Sequence, residues 1–180
     1  MQEEKMTGNE RRAYILTLLQ ETETPITGQE LAEKTGVSRQ VIVTDIALLR
    51  TSEQPIIATN RGYILQRKST ENGSYKRVVV CRHKPDEAKK ELEAIVDCGV
   101  TIIDVIVEHP FYGDLAGSLM ISSRYDVERF LEAIAQDEAA LLSELTDGVH
   151  LHTLVADEVG KLDAACERLE TLGILVTENR

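Results

Sequence analysis

Several features that would each have fixed a function class are scarce or missing in this 180-residue sequence. It holds only 3 cysteines, Cys81, Cys98 and Cys166, widely spaced and with no C-x-x-C pair. That usage suits buried thiols in a reducing cytoplasm better than a disulfide framework, and no chemistry is assigned to any of the three. No apolar run approaches the roughly 18 residues of a membrane span. The N-terminus Met1-Gln2-Glu3-Glu4-Lys5 lacks a basic-then-apolar signal pattern. A soluble cytoplasmic protein with no membrane partner is therefore expected. There is no basic excess either: 20 Lys+Arg stand against 31 Asp+Glu, a net charge of −11, which argues against tight non-specific binding to nucleic acid. Ser-His-Asp and Cys-His motifs are absent, and so are internal repeats and low-complexity segments. The competing enzyme reading is a metallohydrolase fused to a DNA-binding module. It is set aside because Glu91 is needed more as a ligand than as a free general base.

The charge that is present divides the chain. Residues 1–68 carry nine acidic and nine basic side chains, whereas residues 69–180 carry 22 and 11, so the whole net charge sits in the second part. An acidic body is repelled by phosphate, and only the neutral first part can approach DNA. Between them Arg67-Lys68-Ser69-Thr70-Glu71-Asn72-Gly73-Ser74 is polar, turn-rich and without apolar period, which reads as a linker between a domain at 1–68 and another at 75–180.

Within the first part, Ser38 is a natural N-cap, and Ile42, Ile46 and Leu49 recur at i, i+4 and i+7 to give one apolar face. Arg39, Gln40, Val43, Thr44, Ala47 and Arg50 fall on the other face. An ordinary amphipathic surface helix would look the same from this stretch alone. Its flanks favour a DNA reader. Upstream, Thr27-Gly28-Gln29-Glu30 is a capping box that opens a short helix, and Thr35-Gly36-Val37 turns into Ser38, which is helix-turn-helix spacing. Further upstream a helix from Asn9 buries Ile15, Leu16, Leu18 and Leu19. Downstream, Pro55 to Thr59 and Tyr63 to Gln66 read as a β-hairpin with Arg61 at its tip, the wing of a winged helix. The candidate DNA contacts are Ser38, Arg39, Gln40, Val43, Thr44 and Arg61. Arg suits guanine, Gln suits adenine, and an outward valine suits a thymine methyl.

The second part interleaves strands and helices. Strands are expected at Tyr75 to Cys81, Val100 to Val107 (with Ile103, Val105 and Val107 on one side), Leu115 to Ile121, Val149 to Ala156 and Ile174 to Thr177. Helices are expected from Pro85, from Ser123, through Leu141, Leu142 and Leu145, and along Val159, Leu162, Cys166 and Leu169. The fold class is α+β: a winged helix-turn-helix, then an α/β sandwich with a mostly antiparallel sheet.

All 4 histidines lie in this second part. His150-Leu151-His152 on a strand places both imidazoles on one face, a common beginning for a divalent metal site and also a common solvated or hydrogen-bonded pair. His83 and Glu91 could complete a three-His, one-carboxylate shell. His109 shares the parity of Ile103, Val105 and Val107. It reads either as a core histidine or, before Pro110 in a Tyr- and Gly-bearing turn, as a contact for a small anionic ligand.

Val37-Ser38-Arg39-Gln40 and Asn60-Arg61-Gly62-Tyr63, followed by His83, His109-Pro110-Phe111-Tyr112-Gly113-Asp114 and His150-Leu151-His152, resemble the niacin-responsive transcriptional repressors of bacteria, which join a helix-turn-helix to a three-histidine (3H) domain. The resemblance covers nearly the whole chain. It implies a homodimer that binds operator DNA, takes nicotinic acid as co-repressor through the 3H domain, and controls genes of NAD biosynthesis and niacin uptake. It places a divalent transition metal of the nickel, zinc or iron class on His83, Glu91, His150 and His152. His109 or Tyr112 would contact the nicotinate. The alternative kept beside it is a repressor for which the metal ion itself is the effector.

Overall fold

The computed structural model describes residues 6–52, 54–66, 74–137 and 139–177, which leaves most of the expected linker outside the described residues. The chain divides into two units, residues 1–69 and 70–180.

In the first unit, helix α1 (Gly8–Glu21) starts one residue earlier than the pattern suggests, because Thr7 and Glu10 form a reciprocal capping box. Ile15 and Leu19 are fully buried while Leu16 and Leu18 are half-buried, a narrower stripe than expected. Helix α2 (Gly28–Thr35) opens on the Thr27–Glu30 box and closes at Gly36, whose φ of 66° is left-handed. Helix α3 (Arg39–Thr51) is capped by Ser38. Ile42, Ile46 and Leu49 of α3 meet Ile15, Leu19 and Leu31 in one core. Burial of each such side chain contributes about 1.5–3 kcal/mol. Strands β1 (Ile56–Thr59) and β2 (Gly62–Leu65) pair antiparallel around Asn60-Arg61. Tyr63 and Ile26 exchange backbone hydrogen bonds of 2.8 and 2.9 Å, which fasten the hairpin to the segment before α2. Gly62 makes that junction workable, since with φ at 126° a β-carbon there would collide with the Ile26 carbonyl.

The second unit is a four-stranded sheet in the order β3 (Tyr75–Arg82), β6 (Val149–Ala156), β4 (Thr101–His109), β5 (Gly113–Ile121), with every neighbouring pair antiparallel. Helices α4 (Ala88–Val96), α5 (Arg124–Gln136) and α6 (Val159–Thr171) supply the other layer. Val79, Cys81, Ile102, Leu119 and Leu154 of the sheet share a core with Leu92, Ile95, Val127, Leu162 and Leu169. This is the expected α+β arrangement with a mostly antiparallel sheet.

Four local readings change. The Ile103, Val105, Val107 alternation breaks at a β-bulge between Ile102 and Asp104, so that Ile102 and Val107, of opposite parity, are both buried. The segment through Leu142 and Leu145 is a 3-10 helix, Leu142–Thr146, in which Leu145 is exposed. Val159 is exposed, and the inner stripe of α6 is Leu162, Ala165 and Leu169. Ile174 to Thr177 is not a full strand. It adds a single bridge, Cys81 to Leu175, flanked by hydrogen bonds from Arg82 to Ile174 and from Val176 to Val80.

Candidate nucleic-acid interface and metal centre

Helix α3 presents Ser38, Arg39, Gln40, Val43 and Thr44 to solvent on the side opposite Ile42, Ile46 and Leu49. Its orientation is set by a group that periodicity did not single out. Asp45 is buried, and it accepts hydrogen bonds from Arg11 Nε at 2.6 Å and from an Arg12 guanidinium nitrogen at 3.1 Å. Both cations come from α1, so the ion pairs pin the two helices together. At the far end Arg50 Nε donates to the Ile56 carbonyl at 2.9 Å and ties α3 to the wing. Arg50 thus has a structural partner that the sequence did not reveal. Arg61 lies in the wing turn and is half-buried. Its backbone N–H donates to Thr59 Oγ1 at 3.1 Å, which fixes the turn.

The second unit brings His83, Glu91, His150 and His152 together. All four are buried, at 8, 2, 2 and 2% exposure. His150 and His152 share the inward face of β6 with Leu154 and Ala156. His83 follows β3, and Glu91 projects from α4. Glu91 is the hub: its carboxylate lies 2.7 Å from His83 Nε2, 3.0 Å from His150 Nε2 and 3.4 Å from His152 Nε2.

The opposite edge of each ring decides what the cluster can do. His83 Nδ1 lies 2.7 Å from the Lys84 carbonyl, His150 Nδ1 2.9 Å from the Gly148 carbonyl and His152 Nδ1 2.6 Å from the Asp104 carbonyl. A carbonyl oxygen only accepts, so each Nδ1 carries the proton, and in a neutral ring each Nε2 offers a lone pair. Three lone pairs aimed at a carboxylate repel it unless positive charge lies between them. Protons or a metal ion can supply that charge. Without an ion, burial disfavours charge on His83 and His152, but the negative charge of the adjacent Glu91 carboxylate, hydrogen-bonded to His83, outweighs it and raises both imidazoles. Burial likewise opposes ionisation of Glu91, yet the hydrogen bond from His150 and the charge on His152 hold its carboxyl well below the usual range. His152 Nε2 is buried without a hydrogen-bond partner, as an atom awaiting a ligand would be. Three neutral imidazoles and a carboxylate suit a borderline divalent transition ion better than calcium or magnesium.

Backbone devices hold this geometry. At the β4 bulge the Asp104 side chain accepts from Thr153 N at 3.0 Å, which leaves the Asp104 carbonyl for His152. Gly148, with φ at 87°, lies so close to the His83 carbonyl that a β-carbon would collide with it. Cys81 was given no chemistry, yet it pairs with His150 across the sheet, is fully buried, and has its sulfur within 4.8 Å of ligand atoms of Glu91 and His150. Burial, then the charge of Glu91, pushes the thiol up, so it stays protonated without a cation. Only the strand register places it there, and no spacing in the sequence announces it.

His109 and Tyr112 lie elsewhere. His109 is half-buried rather than a core residue. Its Nδ1 accepts from Phe111 N at 3.2 Å and its ring lies 4.9 Å from that of Tyr112. Phe111 and Tyr112 form the hairpin tip at 89 and 77% exposure. Val105 pairs with His152, and His109 is four residues further along β4, about 13 Å away at strand rise.

Two family models match the chain, an HTH domain over residues 11–64 and a 3H domain over residues 76–178. The Transcription repressor NadR of Bacillus subtilis (strain 168) is 46% identical over 178 residues, which cover 98% of this chain and 99% of that protein. The Probable transcription repressor NiaR of Thermotoga maritima is 38% identical over 174 residues, covering 97 and 98%.

Proposed function

Because the chain belongs to the family of helix-turn-helix transcription repressors that carry a 3H domain, we propose that it senses nicotinic acid through that domain, as a homodimer that represses genes of NAD biosynthesis and niacin uptake. It is a DNA-binding regulator and not an enzyme. Among the described residues no helix is long and apolar enough to cross a membrane. The observation that carries the sensor reading is the set of three imidazoles, each pinned at Nδ1 by a backbone carbonyl and each aimed at the buried Glu91 carboxylate. An ion held there by His83, Glu91, His150 and His152 would tie β6 and α4 to the segment that follows β3.

Bound ion supplies Lewis acidity and fixed positive charge; the chain's own residues orient the rings and exclude water. His109 and Tyr112 are the proposed ring contacts for nicotinate at the hairpin tip. A second reading, in which the ion itself is the effector, is favoured by the burial of all four ligands, which leaves an organic carboxylate little access. Thermal unfolding with nicotinate, nicotinamide and a series of divalent metals, singly and in pairs, separates the two. Nicotinate but not nicotinamide should raise the midpoint of the metal-loaded protein, since a ligand stabilises the state that binds it. A rise with metal alone and none with nicotinate would instead establish the metal effector.

A further inference from the structure

We propose that Cys81 is a further ligand of the same ion, so that the site is a three-imidazole, one-carboxylate, one-thiolate centre built for a thiophilic divalent metal. The inference rests on the metal reading above and extends it to a side chain outside the three-His, one-carboxylate pattern. Its basis is geometric. Cys81 is the cross-strand partner of His150, is fully buried, and has its sulfur within 4.8 Å of ligand atoms of both Glu91 and His150. A second, independent observation comes from His152, whose Nε2 is buried, has no hydrogen-bond partner and lies 3.4 Å from the same carboxylate.

Charge supports the assignment. Three neutral imidazoles and Glu91 neutralise one of the two charges of a divalent ion, which leaves an uncompensated positive charge in a fully buried site. A thiolate at Cys81 brings the site to neutrality, which is what burial demands. As the metal–sulfur bond forms, the thiol proton leaves to solvent. The structural alternative is a neutral thiol that merely packs beside Glu91. The two differ in the metals they favour, because thiolate selects soft ions and carboxylate with imidazole alone tolerates manganese.

Cobalt(II) added to the full-length, metal-free protein tests this. Ligand-field bands report occupancy of the site whatever its donors, while a sulfur-to-cobalt charge-transfer band in the near ultraviolet reports thiolate ligation alone. The expected result is both signals in the wild type, with the charge-transfer band lost and the ligand-field bands kept in Cys81→Ser. The double variant Cys98→Ser/Cys166→Ser, in which Cys81 is the sole thiol, should keep both, and it decides the matter even if Cys81→Ser fails to fold. Cadmium(II) affinity should drop in Cys81→Ser by at least the roughly tenfold that even an outer partner of a ligand is worth, with manganese(II) affinity little changed. Ligand-field bands without charge transfer in the wild type would overturn the proposal while leaving the metal site standing, as would charge transfer that persists in Cys81→Ser or is lost in the double variant. Absence of ligand-field bands altogether would remove the metal reading and this inference with it.

Discussion

Gly148 shows how a single backbone position holds the proposed ion centre. It has a left-handed φ, touches the His83 backbone and lends its carbonyl to His150 Nδ1, so it positions two of the three imidazoles at once. Gly148→Ala should cost about 1–3 kcal/mol of domain stability from backbone strain. It should also lower metal occupancy, as elemental analysis of the purified variant would show. The histidines predict a pH dependence whose sign follows from their raised values. In the metal-free protein, protonated His83 and His152 stabilise the fold below their ordinary 6.5, and that stability is lost as pH rises through the higher folded-state values. Glu91 acts oppositely, but its stability is already complete above the ordinary carboxylate range and stays constant through this window. Calorimetry on metal-free protein should therefore show the second domain melting earlier as pH is raised from about 6 to about 8. With saturating metal the fall should vanish, because ligation needs the rings unprotonated. A metal-free midpoint that rises over this window would contradict the assignment. His150 and His152 were legible in the sequence because strand parity puts them on one face, and the resemblance to the 3H family added His83 and Glu91 to the group. Cys81 and Gly148 were not, since each acts through a cross-strand or cross-loop neighbour that only the fold supplies.

At the level of elements, α3 and the sheet behave differently as texts. The three helices and the hairpin were legible because caps at Thr27 and Ser38, apolar spacing and the Asn60-Arg61-Gly62 turn all agree. What periodicity hid in α3 was Asp45, a charged residue on the inner side whose partners lie on α1. Asp45→Ala should destabilise the first unit by about 1.5–3 kcal/mol, the loss of charge-assisted hydrogen bonds to two half-buried arginines, while the second unit melts as before. Arg39→Ala should cost roughly 1–3 kcal/mol of operator affinity and relax the preference at one base position. Arg61→Ala should weaken binding evenly across sequences and flatten its salt dependence. Arg39→Ala binding with wild-type affinity and selectivity would mean that α3 is not the reader. In the sheet, the β4 bulge defeated the alternation argument for Ile103, because one inserted residue inverts its parity against Val105 and Val107, whereas His109 keeps their parity and is half-buried as the last residue of the strand, at the hairpin end. That bulge is also what presents the Asp104 carbonyl to His152.

For the whole molecule, a reader of zero net charge carried by an acidic second part needs either two copies or an effector to bind DNA well. Sedimentation should show a dimer at micromolar concentration, and a monomer with and without ligand would refute that assembly. The central claim is that the ion cluster around Glu91 is coupled to operator binding. Operator affinity at one fixed salt concentration tests it most directly, measured by fluorescence anisotropy for wild type and for Glu91→Gln, each with and without divalent metal and nicotinate. Glutamine keeps the shape of the side chain and removes the charge that draws the imidazoles and the ion together. The wild type should bind operator several-fold more tightly when metal and nicotinate are both present, a coupling of about 1–3 kcal/mol, whereas Glu91→Gln should bind the same under all conditions. A Glu91→Gln protein that responds to metal and nicotinate as the wild type does would contradict the account.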